Sequence, residues 1–251
     1  MILLKTEEQI EGIRKSCQML CNLLDSLDGK IKVGMSTKDI DVYCHDWIVN
    51  RNAKPACLHY EGFPATACIS VNEEVIHGIP KKNKIIQDGD IVSVDICINL
   101  KGYISDSART YMVGNVSSEC KKLVKVTEEC LYRGIEAASQ KNARVMDIGR
   151  AVYEHANKNG FGVMRDYCGH GVGLDLHEDP EIPNYVCAHL PNSRLREGMV
   201  FAIEPMIHMG THKIKELDDG WTVVTADGKP AAHFEHTVAI TSNGLEILTK
   251  V

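Results

Sequence analysis

DGDIVSVDICINLKGYISD, residues 88–106, contains two strand-like runs joined by a lysine-glycine pair. Val and Ile favour strands, and a glycine between two such runs is typical of a hairpin turn. Each run carries one acid, Asp95 in the first and Asp106 in the second. With a turn centred near Leu100 to Gly102, these acids lie opposite or diagonal on paired strands, about 5 to 8 Å apart at Cβ. Carboxylates that close repel each other, so the stretch predicts a shared proton or a bound cation.

A similar pattern recurs later in the chain, where residues 197–204 align with residues 88–95. Both copies run from an acid and a glycine through β-formers to a carboxylate, and the alignment matches Glu204 with Asp95. A further acid, Glu235, follows the second copy on another strand-like run. Internal similarity of this kind predicts two related halves that share one site.

Helical periodicity precedes the strands in each half. Capping residues followed by apolar residues at helical spacing predict four helices, at about 7–27, 36–50, 118–139 and 146–159. Two helices followed by strands, twice over, predict an α+β fold with antiparallel strands inside and helices outside. We therefore expect a single domain over residues 1–251, with pseudo-twofold halves of approximately 1–115 and 116–251.

The composition narrows the class of protein. A formal net charge of -6 argues against nucleic acid as the main partner. No apolar run approaches the roughly 18 residues of a membrane span, and charges begin at Lys5, so we expect neither a signal peptide nor a membrane segment. The 10 cysteines show no C-x-x-C spacing. A cytoplasmic protein with reduced, mostly buried cysteines is the expectation.

Four strand acids and one histidine form the candidate metal site. A single acid in a strand is more often a surface or hydrogen-bonded residue. Asp95, Asp106, Glu204 and Glu235, however, occupy matching places of the two copies. Four carboxylates fit two divalent cations by charge and by oxygen ligation. His170 lies between two glycines, which let the backbone approach whatever the ring contacts, and it is the fifth predicted ligand.

Two further histidines, His77 and His177, are each followed by a proline three residues later. Either ring could simply be satisfied inside a loop. Their equivalent positions favour substrate contacts, because histidine can donate to an oxyanion or transfer a proton. For Trp221 and the cluster Cys57, Tyr60, Phe63 and Cys68, a core position and a pocket position both remain open.

Seven motifs resemble those of type I methionine aminopeptidases of the bacterial kind, over essentially the whole chain. They are YEGFP at 60–64, ISVNE at 69–73, HGIP at 77–80, GDI at 89–91, GHGVG at 169–173, IEPM at 203–206 and FEHT at 234–237. The resemblance implies the pita-bread fold, in agreement with the internal repeat.

The resemblance also implies roles for the site residues. Asp106 and Glu235 match ligands that bridge two divalent metal ions, Asp95 matches a ligand of one ion, and His170 and Glu204 match ligands of the other. Mn, Fe(II), Co and Zn all suit such a donor set. His77 and His177 match substrate-contacting histidines, and the methionine pocket falls at Cys57, Tyr60, Phe63, Cys68, Leu176 and Trp221. Leu176 stands where many members have an aromatic residue, and His233 where many have glutamine.

The implied activity is removal of the N-terminal methionine from nascent polypeptides with a small second residue, by attack of a metal-bridging hydroxide. Glu204 would accept the proton of the water, His177 would stabilise the oxyanion, and His77 would contact the leaving-amine side. The expected partners are the nascent chain and, transiently, the ribosome, and the expected state is a monomer.

Two alternatives remain open at this point. Residues 173–178 are also similar to proline dipeptidases, which cleave beside proline, although HGIP and the expected lack of their N-terminal domain argue against that activity. The short spacing from His170 to Glu204 leaves no room for the helical insertion of type II members. A catalytically inactive binding protein of the same fold would lack a metal ligand, and none of the five is missing.

Overall fold

The structure, a computed structural model, describes residues 1–250. Within them, α-helices flank antiparallel strands, which confirms the predicted α+β class. The helices are α1 (Glu7–Leu27), α2 (Thr37–Val49), α3 (Ser118–Ala138) and α4 (Val145–Lys158). Each agrees with its predicted bounds to within one residue at either end.

Local capping fixes where the first helices begin. The Thr6 side chain accepts from the backbone of Gln9, and the Gln9 side chain accepts from the backbone of Thr6. Ser36 and Asp39 form the same reciprocal pair at α2. Such pairs satisfy backbone N–H groups that a helix leaves without partners at its start.

The strands are short except for one hairpin. They are β1 (Lys54–Pro55), β2 (Ala67–Val71), β3 (Glu74–Ile76), β4 (Ile91–Leu100), β5 (Tyr103–Met112), β6 (Gly162–Val163), β7 (Gly169–Gly171), β8 (Glu178–Ile182), β9 (Val200–Ile203), β10 (Met206–His208), β11 (Ile214–Glu216), β12 (Val223–Thr225), β13 (Ala231–His233), β14 (His236–Thr241) and β15 (Gly244–Ile247). One sheet joins β1, β2 and β5 to β4, and the largest has the order β15-β14-β9-β7-β8. Two small sheets have the orders β13-β10-β6 and β11-β12-β3.

The first ladder is the predicted hairpin of β4 and β5. Its register runs without a break from the pair Ile91 and Met112 to the pair Leu100 and Tyr103. Lys101 and Gly102 form the turn, both with positive φ, at 56° and 91°. Two left-handed residues in succession are typical of a type I′ turn, whose twist matches that of the strands.

The second ladder consists of two shorter pairings in line. β9 pairs with β14 up to Ile203 and His236, and β10 pairs with β13 from Met206 and His233 onward. The register is the same on both sides, so residues 204 and 205 face residues 235 and 234 across the gap. Pro205 lies in this gap and has no N–H to donate.

The two ladders are joined side by side along β5 and β14. The Glu235 N–H donates to the Ala108 carbonyl at 2.9 Å, and the Thr237 hydroxyl donates to the Asp106 carbonyl at 2.7 Å. The Ser107 hydroxyl donates to the Glu235 carbonyl at 2.6 Å. These bonds bring the acid-bearing segments of both ladders to one seam.

Apolar clusters hold the helices against the outer faces of the ladders. Leu20 and Leu24 of α1 pack with Val92 and Val94 of β4, and Ile148 of α4 packs in the cluster around β9. Most cysteines of residues 1–250 are buried, as predicted, and no disulfide joins them. No helix within residues 1–250 is both long enough and apolar enough to cross a membrane.

Candidate metal centre and substrate cavity

The predicted site residues line one cavity of about 360 Å³. They are Cys57, Tyr60, Phe63, Cys68, His77, Asp95, Asp106, His170, Leu176, His177, Glu204, Trp221 and Glu235. Thus the structure brings together all the side chains that the sequence selected, from both halves of the chain.

The first ladder contributes two acids in a diagonal arrangement. Asp95 faces Ala108 across the hairpin, while Asp106 faces Cys97. Residues two apart on a strand share a face, so Asp95, Cys97 and Asp106 point to the same side. Ligand atoms of these three residues lie within 4.8 Å of one another. The predicted proximity of the two carboxylates is confirmed.

The second ladder contributes its acids at the gap. The common register places Glu204 directly opposite Glu235, and Asn184 donates its side-chain N–H to the Glu204 carbonyl at 3.0 Å. Both acids therefore lie between the paired segments rather than within a strand.

His170 completes the cluster from β7. Its Nε2 lies 3.7 Å from Asp106 Oδ2 and 3.6 Å from Glu204 Oε1. Its Nδ1 donates to the Gly171 carbonyl at 3.0 Å, which leaves the lone pair of Nε2 facing the acids. An added Cβ would lie 2.4 Å from the Ala202 carbonyl oxygen at Gly169 and 2.2 Å from the Asp179 carbonyl oxygen at Gly171. Only glycine therefore permits this close approach.

Burial shifts the pKa values of the acids and of the histidine in this cluster. It raises the pKa of Asp106 to about 7, and burial together with neighbouring carboxylates raises the pKa of Asp95, Glu204 and Glu235. Burial also lowers the pKa of His170 to about 3, so the ring is neutral at pH 7. Asp95 Oδ1 and Glu235 Oε1 have no hydrogen-bond partner within residues 1–250. Free carboxylate oxygens beside a neutral imidazole fit divalent cations, which supply the missing positive charge.

Cys97 is a contact that the sequence analysis missed. Its thiol donates to Asp106 Oδ1 at 3.0 Å and accepts from the Cys57 thiol, with the two sulfurs 3.1 Å apart. The two-residue spacing from Asp95 was the available signal, since it places Cys97 on the same face of β4.

His233 is a second neighbour whose position was not predicted. Its Nε2 lies 3.7 Å from Glu204 Oε2, and burial lowers the pKa of the ring to about 3. By ladder register it is the counterpart of Asp106, because each pairs with the residue two positions after the aligned acid: Asp106 with Cys97, and His233 with Met206. The two halves therefore place different side chains at this position.

His77 lies where β3 ends. It has a positive φ of 55°, and the following Gly78 is pressed against β2, where an added Cβ would meet the Ile69 carbonyl oxygen at 2.4 Å. Its ring packs edge-on against Tyr167 at 5.4 Å and Trp221 at 6.1 Å. Burial lowers the pKa of His77 to about 4, so its ring is neutral at pH 7.

His177 lies on the loop before β8. The Tyr60 hydroxyl is 2.8 Å from its Nδ1, and the ring centroids of His177 and His170 are 4.3 Å apart. Burial lowers the pKa of His177. A donating tyrosine at Nδ1 leaves the ring proton on Nε2, where it can serve as a hydrogen-bond donor.

The remaining predicted residues form the apolar end of the cavity. The rings of Phe63 and Trp221 meet edge-on at 5.2 Å, and Cys57, Cys68 and Leu176 are buried in the same cluster. The sequence left core and pocket positions open for this group, and the structure shows that these side chains pack together and also line the cavity.

Comparison with known proteins agrees with this arrangement. The chain matches the model of metallopeptidase family M24 over residues 11–242. A methionine aminopeptidase of Treponema pallidum is 52% identical over 250 residues, which cover 100% of this chain and 97% of the relative. The crystal structure of methionine aminopeptidase from Thermotoga maritima covers 100% of both chains with a TM-score of 0.95 and 42% identity. A prolidase from Pyrococcus furiosus matches with a TM-score of 0.79 and 26% identity, over 99% of this chain and 65% of the prolidase.

The relatives match over the full chain and the family model over residues 11–242, and together they confirm the predicted pita-bread fold. Membership of a metallopeptidase family also agrees with the cluster of buried carboxylates, which could hold divalent cations. The chain belongs to metallopeptidase family M24.

Proposed function

We propose that this chain removes the N-terminal methionine from polypeptides, with a preference for a small second residue. The observation that carries the proposal is a single cavity with an apolar, sulfur- and aromatic-lined end and a carboxylate-histidine end. The similarity over the full chain to proteins named methionine aminopeptidase supports the same activity.

The carboxylate end would hold two divalent ions through Asp95, Asp106, His170, Glu204 and Glu235. Mn, Fe(II), Co and Zn all suit this donor set. Such ions acidify water and polarise a carbonyl, and they would supply the nucleophile at neutral pH. The free α-amine of the substrate would bind at this metal site, which confines cleavage to the first peptide bond.

Glu204 is the proposed proton acceptor. Its side chain is 12% exposed, and burial with neighbouring Asp106 and Asp95 raises its pKa. A carboxyl whose pKa lies closer to the working pH accepts a proton from water and returns it to the leaving amine more effectively. Its carbonyl is held by Asn184, which fixes the backbone from which the carboxylate extends.

His177 and His77 are the proposed substrate contacts. His177, with its ring oriented by Tyr60, would donate from Nε2 to the developing oxyanion. His77, held neutral by burial, would contact the nitrogen side of the scissile bond. Both rings line the cavity, so the second residue of the substrate meets two bulky side chains and must be small.

The apolar end suits methionine. Cys57, Phe63 and Cys68 offer an apolar and polarisable surface, and Trp221 supplies an aromatic edge. An unbranched thioether gains from contacts with aromatic and sulfur atoms. Leu176 leaves this wall aliphatic, which shapes the width of the subsite.

The wider setting stays a prediction from the sequence. It comprises a cytoplasmic location, nascent chains as substrates, transient ribosome association and a monomeric state. A single domain with halves near residues 1–115 and 116–251 is likewise our proposal.

The test is methionine release from Met-Gly-X and Met-Leu-X peptides, with Ala-Pro as control, after chelation and re-addition of Mn, Fe(II), Co or Zn in turn. We expect metal-dependent release from Met-Gly-X, much slower release from Met-Leu-X, and no cleavage of Ala-Pro. Cleavage of Ala-Pro alone would replace the proposal with a proline-specific activity. No cleavage with any metal would favour a binding protein.

A further inference from the structure

The cavity loop that carries Leu176 and His177 is tied to the segment before α1 by a buried ion pair, Lys5 with Glu178. We infer that Lys5 and Glu178 are positioning residues for Leu176 and His177. They set the geometry of substrate binding without touching the metal ligands, and this role rests on the proposed function.

The burial of Lys5 is the first observation. Its side chain is 0% exposed and that of Glu178 is 3% exposed. Lysine is almost never buried unless its charge is paired, because removing an ammonium from water is unfavourable. The Lys5 backbone is also fixed, since its N–H donates to the Gly198 carbonyl at 2.7 Å. The ammonium is thus held in one place relative to the fold.

The second observation is how Glu178 uses its two oxygens. Oε2 accepts from the Lys5 ammonium. Oε1 accepts from the backbone N–H of Leu174 at 2.8 Å and of Asp175 at 3.1 Å. A single carboxylate therefore closes the loop from residue 174 to residue 178, with Leu176 and His177 inside the closed segment.

The third observation concerns the other end of this loop. Gly173 has a φ of 138°, and an added Cβ would lie 2.4 Å from Ile13 Cδ1 and 3.5 Å from Lys5 Cε. Its carbonyl accepts from the Ile104 N–H at 2.7 Å. The loop is therefore pressed against α1 and the Lys5 stem, so that moving Lys5 moves both ends of the segment that bears His177.

The direct test is Lys5→Met, which keeps most of the buried volume and removes the ammonium. We expect kcat/KM on Met-Gly-X to fall roughly ten- to hundredfold, because small misplacements of a positioned group slow reactions by such factors. Metal affinity, measured by calorimetry, should stay within about twofold of wild type, since no ligand lies on the closed loop.

Lys84→Met is the matched control. Lys84 pairs with Glu74, which accepts from the Val71 N–H at 3.0 Å, so this lysine too supports a carboxylate that holds a backbone turn. Residues 71–74 contribute nothing to the cavity lining. We expect Lys84→Met to lower the melting temperature and leave kcat/KM unchanged.

A readout independent of activity separates this inference from the proposed function. Hydrogen exchange at the amides of Leu174 and Asp175 should be slow in wild type and faster in Lys5→Met, with little change in Lys84→Met. Wild-type protein without methionine release would overturn the function but leave this exchange test intact. Unchanged exchange and unchanged kcat/KM in Lys5→Met, with active wild type, would reduce the ion pair to a purely structural role.

Discussion

The first and second ladders deliver carboxylates to the same cavity by different means. β4 and β5 form ten consecutive pairs, and their acids lie diagonally with Cys97 between them. The second ladder keeps one register but loses two pairs at its centre, where Glu204 and Glu235 face each other. Like charges directly opposite each other destabilise a ladder, and Pro205 cannot donate to one. A regular hairpin and an interrupted ladder can therefore supply ligands to one site.

The comparison also shows how far the internal repeat extends. Asp95 and Glu204 occupy the same place, but register assigns His233 rather than Glu235 as the counterpart of Asp106. The two copies therefore match at the first acid, but their second acids occupy different positions in the ladders. This difference leads us to expect that the acids of the first ladder bind metal alone, while the gap in the second ladder adds a catalytic role.

Glu204→Gln should have the largest effect. We expect kcat to fall about 10³-fold, because general acid-base groups contribute on that scale, while the melting temperature stays near that of wild type. Asp95→Asn, its counterpart in the first ladder, should weaken metal binding as Glu204→Gln does, but only Asp95→Asn should recover part of its turnover in excess metal, because it keeps the proton acceptor. Steady-state methionine release across a metal titration distinguishes the two. Equal, metal-independent losses would erase the proposed division of roles.

Introducing a proline into the first ladder should have the next largest effect, and removing the proline of the second ladder should have little. Ile96 aligns with Pro205, is 0% exposed, and lies in the unbroken first ladder. Ile96→Pro should destabilise the fold by about 3 kcal/mol or more, since it removes a donor from an interior strand. Pro205→Ala should change stability by less than about 1 kcal/mol. Denaturant unfolding of both variants is the measurement, and similar losses would mean that the gap is not a distinct feature.

Removing metal should make stability depend on pH. Burial raises the pKa of Asp106 from 3.8 to about 7, so the folded protein keeps a proton that the unfolded chain releases. Stability of the metal-free protein therefore falls as pH rises between these values. We expect chelated protein to melt roughly 5 °C lower at pH 8 than at pH 6, and metal-loaded protein to show no such fall. Thermal melts of Asp106→Asn, which lacks the titrating group, should show a smaller pH dependence.

The smallest predicted effect concerns how each ladder is closed. Gly102 ends the first ladder with a φ of 91°, and an added Cβ would have no atom within 4 Å, so only backbone strain opposes substitution. Gly102→Ala should cost about 1 kcal/mol of stability and leave kcat/KM unchanged. The second ladder is instead closed by residues 209–230, which include β11 and β12. Reduced activity in Gly102→Ala would show that the turn influences the cavity.

Features encoded by neighbouring residues were predictable from the sequence. The capping residues Thr6 and Gln9 predict where α1 begins. The lysine-glycine pair between two runs rich in β-branched residues predicts the hairpin. The glycines beside His170 indicated a close backbone approach, and the structure shows one at Gly169, to the Ala202 carbonyl rather than to a group that the His170 ring contacts. The motif resemblance supplied the cavity residues, and the structure places all of them around one space.

Features that depend on distant pairings were not predictable in this way. The gap in the second ladder follows from register across more than thirty residues, so the sequence could not place His233 beside Glu204. Lys5 and Glu178 form an ion pair although they are 173 residues apart in the sequence. Neither residue carries a local signal for its partner, because ion pairing depends on the folded path between them.

Metal titration of the chelated protein tests the central claim most directly. The claim is that one carboxylate from each ladder is required for the same metal centre. Calorimetry with Mn or Co should show two ions per wild-type chain, and both Asp95→Asn and Glu204→Gln should reduce the stoichiometry or the affinity. Wild-type stoichiometry and affinity in either variant would contradict the claim that both ladders supply ligands.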